Sequence, residues 1–238
     1  MMIDKSVEQL MSTEHLPENF QAMDGYFGDF FGLMRSTLSA GGSELGLGMT
    51  LFSLAVSIKA NRIVEIGRFK GFSTLCLASA LKFLDIGWQE PQQHKQRPDI
   101  NYPELEKPQA RKLYSIDPFP TTEATELITK ANLSSYVEFI NTRSDQVTID
   151  ETVDLIFIDG DHSYEGCKED VYNYVPWILR PGGYFILHDY YGWYDAQGNN
   201  NSPIKKVTDE IIAEGTYEHI LMDTGYMSFT IFRNPTES

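Results

Sequence analysis

Basic residues are scarce in this chain of 238 residues: 19 Lys and Arg stand against 34 Asp and Glu, a formal net charge of −15. Binding a polyanion needs a basic stripe, and none occurs, so the composition argues against a nucleic-acid partner. Cysteine is scarcer still. Cys76 and Cys167 both fall in predicted helices and read as reduced thiols, not as a disulfide framework. No apolar run approaches the roughly 20 residues of a membrane span. No basic region followed by an apolar core marks a secretory signal. The expectation is a soluble, cytoplasmic protein with no membrane partner. Internal repeats are missing, as are the phosphate-binding G-K-[ST] and the nicotinamide-type G-x-G-x-x-G.

What is present suffices for a core: 42% hydrophobic residues and 13% aromatics in a length that suits one large domain or a domain with a small appendage. Residues 1–59 are expected to form a helical cap, with Phe20, Met23, Phe27, Phe30, Phe31 and Met34 at helical spacing. Glycines at 41, 42, 46 and 48 should break that pattern before a second helix, Thr50–Lys59. Residues 60–238 then alternate. Strands are predicted at Arg62–Ile66, Lys112–Ile116, Val137–Asn141, Asp154–Ile158 and Tyr184–Leu187, with helices at Ser73–Leu84, Glu123–Ala131 and Glu165–Leu179. This is the signature of βαβ units and a doubly wound, mostly parallel α/β sheet. After a helix at Ile204–Ala213, strands Tyr217–Leu221 and Met227–Phe232 are joined by a turn too short for a parallel crossover. The seven-stranded sheet should therefore close with an antiparallel C-terminal hairpin. Two stretches read as loops: the Pro-rich insertion 85–111 and the polar segment 192–203 with Trp193 and Tyr194, which is expected to border the acceptor site.

Ligands of open α/β sheets sit at the carboxyl ends of the strands. In "RIVEIGRFKGFST", Glu65, Gly67 and Gly71 stand at the first strand-to-helix turn, with Phe69 where a nicotinamide turn needs glycine. A carboxylate at this place would repel a pyrophosphate but hold an ammonium. Asp117, ending the next strand, is placed to accept both hydroxyls of a ribose. Together these demands describe S-adenosylmethionine. Farther along, "VDLIFIDGDHSYEG" ends a buried strand in Asp159, Asp161 and His162, and a neighbouring strand ends at His188–Asp189. Two carboxylates brought that close call for a counter-charge, which a divalent cation supplies. His188 is a candidate third ligand, although imidazole favours transition metals over Mg²⁺. His162 is either a general base or part of a turn that satisfies backbone groups. Asp161 contacts the cofactor amine, binds metal or orients His162. Lys168, Glu169 and Asp170 read as a solvated helix face.

The elements "VEIGRFKGFST", "LYSIDPF", "INTRSDQV", "DLIFIDGDHSYEGCKEDV" and "LRPGGYFILHDYYG", in that order, resemble the class I S-adenosylmethionine-dependent methyltransferases. Within that class they are most similar to small-molecule O-methyltransferases with an Asp-Gly-Asp-His-Ser-Tyr-Glu stretch. The resemblance implies methyl transfer to a hydroxyl of a small molecule (natural product, sugar or phenolic), with homo-oligomerisation left open. It implies that Glu65 and Gly67 meet the methionyl part, Asp117 the ribose, and Ser144 and Asp145 the adenine, with Gly71 also among the cofactor-binding residues. Ser73 either starts the helix or reaches the cofactor carboxylate. It also implies Mg²⁺ or a similar ion on Asp159 and Asp189, and His162 as base. The alternatives are an NAD-dependent oxidoreductase and an S-adenosylmethionine-binding protein without transfer activity.

Overall fold

A computed structural model of the chain describes residues 30, 32, 45–88, 110–191, 198, 200–223 and 228–236. In chain order the elements are α1 (Leu45–Ser57), β1 (Arg62–Ile66), α2 (Phe72–Trp88), β2 (Lys112–Ile116), α3 (Thr122–Lys130), β3 (Val137–Ile140) and β4 (Val153–Ile158). Then follow α4 (Tyr164–Ile178), β5 (Leu179–His188), α5 (Pro203–Glu214), β6 (Glu218–Asp223) and β7 (Ser228–Arg233). The seven strands form one sheet in the order β3-β2-β1-β4-β5-β7-β6. β3, β2, β1, β4 and β5 pair in parallel, and β7 pairs antiparallel with both β5 and β6. The predicted hairpin and the parallel alternation are both there.

Each central strand is apolar on both faces because each face is covered by helices. Ile63, Leu113, Leu155, Phe157 and Ile186 point into one core with Leu51 and Ala55 of α1 and Leu75 and Leu81 of α2. Their neighbours Val64, Ile116, Ile156 and Phe185 point the other way, toward Val171 and Val175 of α4 and Val207 and Ile211 of α5. Such two-sided burial is why these strands read as continuous apolar runs. Local chemistry sets the helix starts. Thr121, Ser163 and Ser202 accept backbone N–H groups of Ala124, Gly166 and Lys205 as N-caps, and Pro203 opens α5, where it has no N–H to lose.

Several boundaries differ from the sequence expectation. Gly46 and Gly48 lie inside α1 and do not break it. A Cβ on Gly48 would meet the Phe72 ring at 2.7 Å and the Cys76 sulfur at 2.9 Å, so glycine here lets α1 press against α2. Close helix packing offsets the low helix propensity. The insertion starts later than expected, since α2 continues through Asp85 to Trp88. Its roots are tied by an ion pair between Arg111 Nε and Asp85 Oδ1 at 2.8 Å; residues 89–109 lie outside the described residues. β5 starts at Leu179, five residues early, across an irregular register between Val153 and Leu155. Most of the predicted cap is likewise outside the described residues. Phe30 is described: it is buried and stacks on Phe52 of α1 at 4.9 Å.

Candidate active site

The carboxyl ends of β1, β2, β4 and β5 open onto a cavity of about 1160 Å³. Gly67, Ser73, Asp117, Ser144, Asp159, Asp161, His162, His188 and Asp189 all line it. Gly71, Glu65 and Asp145 do not. Gly71 (φ +86°) holds the turn against Ala124 of α3, and Asp145 pairs with Arg143 at 3.1 Å.

At the β1–β2 end, the carboxylates are satisfied by the protein itself. Glu65 is fully buried and accepts hydroxyl hydrogen bonds from Ser73 (2.6 Å), Thr74 (2.7 Å) and Ser115 (2.5 Å). Burial raises its pKa, while the three hydroxyls and the Arg68 charge oppose the rise. Glu65 is therefore enclosed behind Ser73 and does not face the cavity, and the Ser73 hydroxyl serves Glu65 instead of capping α2. Asp117 accepts the backbone N–H of Arg68 and of Phe69 on Oδ2, each at 3.0 Å, and that of Phe119 on Oδ1 at 2.7 Å. The carboxylate that was expected to hold a ribose thus also fastens the glycine turn.

Gly67 has φ +85°, and a Cβ there would lie 2.1 Å from the Asp159 carbonyl oxygen. The close approach that requires glycine is thus to β4. Backbone bonds from Gly67 N–H to Ile116 O and from Asp159 N–H to Ile66 O fix the two strand ends on either side of the turn. Phe69 also adopts a left-handed backbone, φ 45°, which is uncommon for a bulky residue. Asp117 holds its N–H, and the Thr121 hydroxyl donates to its carbonyl at 2.8 Å.

At the β4–β5 end four side chains converge. His188 Nδ1 lies 3.0 Å from Asp159 Oδ1 and 3.2 Å from Asp189 Oδ1. His162 Nε2 lies 3.3 Å from Asp159 Oδ1, and its Nδ1 lies 3.3 Å from Asp189 Oδ2. Asp189 reaches this place from a left-handed backbone, φ 60°, which Asp tolerates better than most residues. Burial pushes Asp159 up, but hydrogen bonds from His162 and His188 outweigh it and hold the carboxyl below its ordinary range. The Asp159 hydrogen bond raises His162 against the opposing effect of burial. Burial pulls His188 down, and Asp159 and Asp189 more than reverse that. Asp189 is raised by burial and by the Asp159 charge. The two carboxylates thus draw both imidazoles toward their charged forms.

The donor set of Asp159, His188 and Asp189 fits a divalent cation, since one ligand atom from each lies within 4.8 Å of the others. Asp161 lines the cavity beside this group. Its Oδ1 accepts the Ser163 N–H at 2.8 Å, which lowers its pKa. The structure therefore brings His162 to both carboxylates, whereas the Ser163 cap takes the turn role.

Several polar cavity residues escape the sequence reading, among them Glu169, Arg68 and Asp170. Arg68 is 3% exposed, with its guanidinium donating to Ser115 O at 2.8 Å and to Asn141 Oδ1, over the Phe139 ring. Asp170 is 5% exposed and accepts the Ser144 hydroxyl, so it is not part of a solvated face. Burial raises its pKa to about 6. The spacing Cys167, Asp170, Val171, Tyr174 already puts it on the buried side of α4. A lone arginine inside the glycine turn was the available signal for Arg68. Lys168 does face outward, where it pairs with Glu210 at 2.9 Å. Of the expected acceptor-side loop, residues 192–197 and 199 lie outside the described residues. Its downstream root is anchored, with Ser202 donating to Asp189 O and Asn200 to Tyr190 O, both at 2.9 Å.

Five parallel strands closed by an antiparallel hairpin, with acids at the ends of β1, β2, β4 and β5, define the class I methyltransferase architecture. Residues 64–190 match the sequence model of the methyltransferase domain, and the chain belongs to that family. The family sets aside the NAD-dependent alternative. Solved structures share the fold. An O-methyltransferase from Bacillus cereus in complex with SAH superposes with TM-score 0.60 at 18% identity, over 96% of this chain and 97% of that one. TomG from Streptomyces achromogenes, an O-methyltransferase involved in tomaymycin synthesis and in complex with SAM, gives 0.59 at 17%, over 99% and 100%. The SAH-bound methyltransferase PaMTH1 from Podospora anserina gives 0.58 at 12%, over 100% and 98%. No curated protein sequence matches the chain. Among the described residues, no helix is long and apolar enough to cross a membrane.

Proposed function

We propose that the protein methylates a hydroxyl of a small molecule, using S-adenosylmethionine and assisted by a divalent cation. The observation that carries this reading is one cavity with two chemically distinct ends: the Asp117 end beside the glycine turn, and the Asp159–His162–His188–Asp189 end. When bound, S-adenosylmethionine supplies a sulfonium methyl group. Asp159, His188 and Asp189 would hold the cation, which would supply a lowered pKa to a hydroxyl bound there.

The chain's own residues do the rest. Asp117 accepts ribose hydroxyls with whatever capacity its three backbone amides leave, and those amides keep it aimed. Ser73, fixed by buried Glu65, presents its oxygen to the methionyl end. Ser144 is held by Asp170 on the adenine side. Asp159 holds His162 through Nε2, and His162 takes the hydroxyl proton on Nδ1 in place of that nitrogen's contact with Asp189. The sheet edge aligns the reacting groups, a large contribution for an in-line displacement. The loop 192–203, whose downstream root is tied by Ser202 to the carbonyl of Asp189, is assigned to the acceptor side.

The test is transfer of an isotopically labelled methyl group from S-adenosylmethionine to a panel of hydroxylated metabolites, read by mass spectrometry with divalent metal and with chelator. O-methylated product that falls at least tenfold in chelator is expected. Methylation on nitrogen or carbon alone, or full activity in chelator, contradicts the proposal.

A further inference from the structure

The residue that departs from an all-oxygen magnesium site is His188. It ends β5, is 7% exposed, and packs its ring against Phe157 at 6.3 Å between centroids. A ring so enclosed has little freedom to swing away. Its Nδ1 stands 3.0 Å from Asp159 Oδ1 and 3.2 Å from Asp189 Oδ1. Two donors that occupy adjacent octahedral positions at about 2.1 Å from an ion are separated by about 3.0 Å. The nitrogen is therefore spaced from each oxygen as a neighbouring ligand of one ion, and the three ligand atoms lie within 4.8 Å of one another.

We propose that His188 Nδ1 is a metal ligand and makes this centre selective for a first-row transition ion such as Fe²⁺ or Co²⁺ over Mg²⁺. The inference rests on the cation-assisted reading above and deepens it by naming the ion class. Mg²⁺ takes oxygen donors, keeps several waters and is bound by one or two carboxylates. Imidazole suits Fe²⁺, Co²⁺ and Ni²⁺, with affinity rising along that series, whereas Mg²⁺ favours oxygen donors, as Mn²⁺ does to a lesser degree. Asp159 and Asp189 supply the charge that any divalent ion needs. The nitrogen supplies the discrimination. The buried face of Phe157 behind the ring limits solvent on that side, which strengthens a preference set by donor type.

The experiment uses the full chain, stripped with chelator and dialysed, and titrated by calorimetry with Co²⁺ and separately with Mg²⁺. A pure carboxylate site also prefers Co²⁺ to some degree, so the deciding quantity is the Co²⁺/Mg²⁺ affinity ratio in the wild type divided by that in His188→Asn. The inference predicts that Co²⁺ binding weakens at least tenfold in the variant while Mg²⁺ binding changes less than threefold. Asp189→Asn should weaken both ions. A variant-free readout guards against misfolding: Mn²⁺ bound to the wild-type protein should show strong nitrogen modulation in pulsed electron paramagnetic resonance, and His162→Ala should retain it. An unchanged affinity ratio in a His188→Asn protein with a wild-type melting temperature, or no directly bound nitrogen on Mn²⁺, overturns the inference. Binding of S-adenosylhomocysteine, measured in chelator on the same samples, keeps the two readings apart. If it binds and the ratio does not move, only the ion assignment fails.

Discussion

The two ends of the cavity manage buried charge in opposite ways. At the β1–β2 end, Glu65 and Asp117 are answered by six fixed donors, three hydroxyls and three backbone N–H groups. At the β4–β5 end, Asp159 and Asp189 are answered by two histidines, whose charge depends on protonation and whose nitrogens also serve as metal ligands or bases. Fixed donors make a pre-formed receptor for a ligand that is bound the same way each time. Exchangeable donors make a reactive centre. On the proposed function, the first end is the place of recognition and the second the place of chemistry.

The largest expected effect separates the ends most clearly. His162→Ala should lower turnover by about 10²–10⁴, the range for losing a general base, while S-adenosylhomocysteine affinity measured by calorimetry stays within threefold. A parallel loss of affinity would mean the ends are not separate. Next comes the residue that joins them. Gly67→Ala places a Cβ 2.1 Å from the Asp159 carbonyl at a backbone φ of +85°, so something must move. Destabilisation of about 2–4 kcal/mol is expected in urea melts, with cofactor and metal affinity falling together.

Asp170 extends the comparison to a carboxyl with a single hydroxyl partner. Its pKa is raised from 3.8 to about 6 by burial. Between those values the folded protein keeps a proton that the unfolded chain releases, so its contribution to stability is full below about pH 4 and is lost as pH rises toward 6. Asp170→Asn should remove that slope. Relative to wild type, the variant should gain about 2 kcal/mol in urea melts between pH 4 and pH 7. Parallel curves for the two proteins would show that Asp170 does not carry the shift. Smallest is Ser73→Ala, which removes the hydrogen bond to Oε1 of buried Glu65 and should weaken S-adenosylhomocysteine binding by about 1 kcal/mol in calorimetry, with a fall of similar size in folding stability in urea melts.

Much of this was legible in the sequence because it follows from local period. Arg62–Ile66 and Lys112–Ile116 were read with the bounds the structure gives them, as buried strands have a simple apolar signature. Asp117, Asp159 and Asp189 could be placed together because parallel strand ends share one edge. What failed depended on tertiary contact. Gly48 looks like a helix breaker until the Phe72 ring is known to lie against it. Asp170 looks solvated when read beside Lys168 and Glu169, and buried when read along the α4 face. Glu65 was expected to meet the ligand, but the hydroxyls that enclose it come from β2 and α2, fifty and eight or nine positions away. His162 beside Asp159 follows from a three-residue offset; His162 beside Asp189 needs β4 and β5 to be neighbours.

The most direct test of the division between recognition and chemistry is calorimetric titration of S-adenosylhomocysteine, in chelator, into wild type, Asp117→Ala and Asp189→Ala. One-to-one binding is predicted for wild type and for Asp189→Ala within threefold of each other, with Asp117→Ala weaker by about 10²-fold from the loss of charge-assisted hydrogen bonds. Wild-type affinity in a folded Asp117→Ala, or loss of binding in Asp189→Ala, would contradict it.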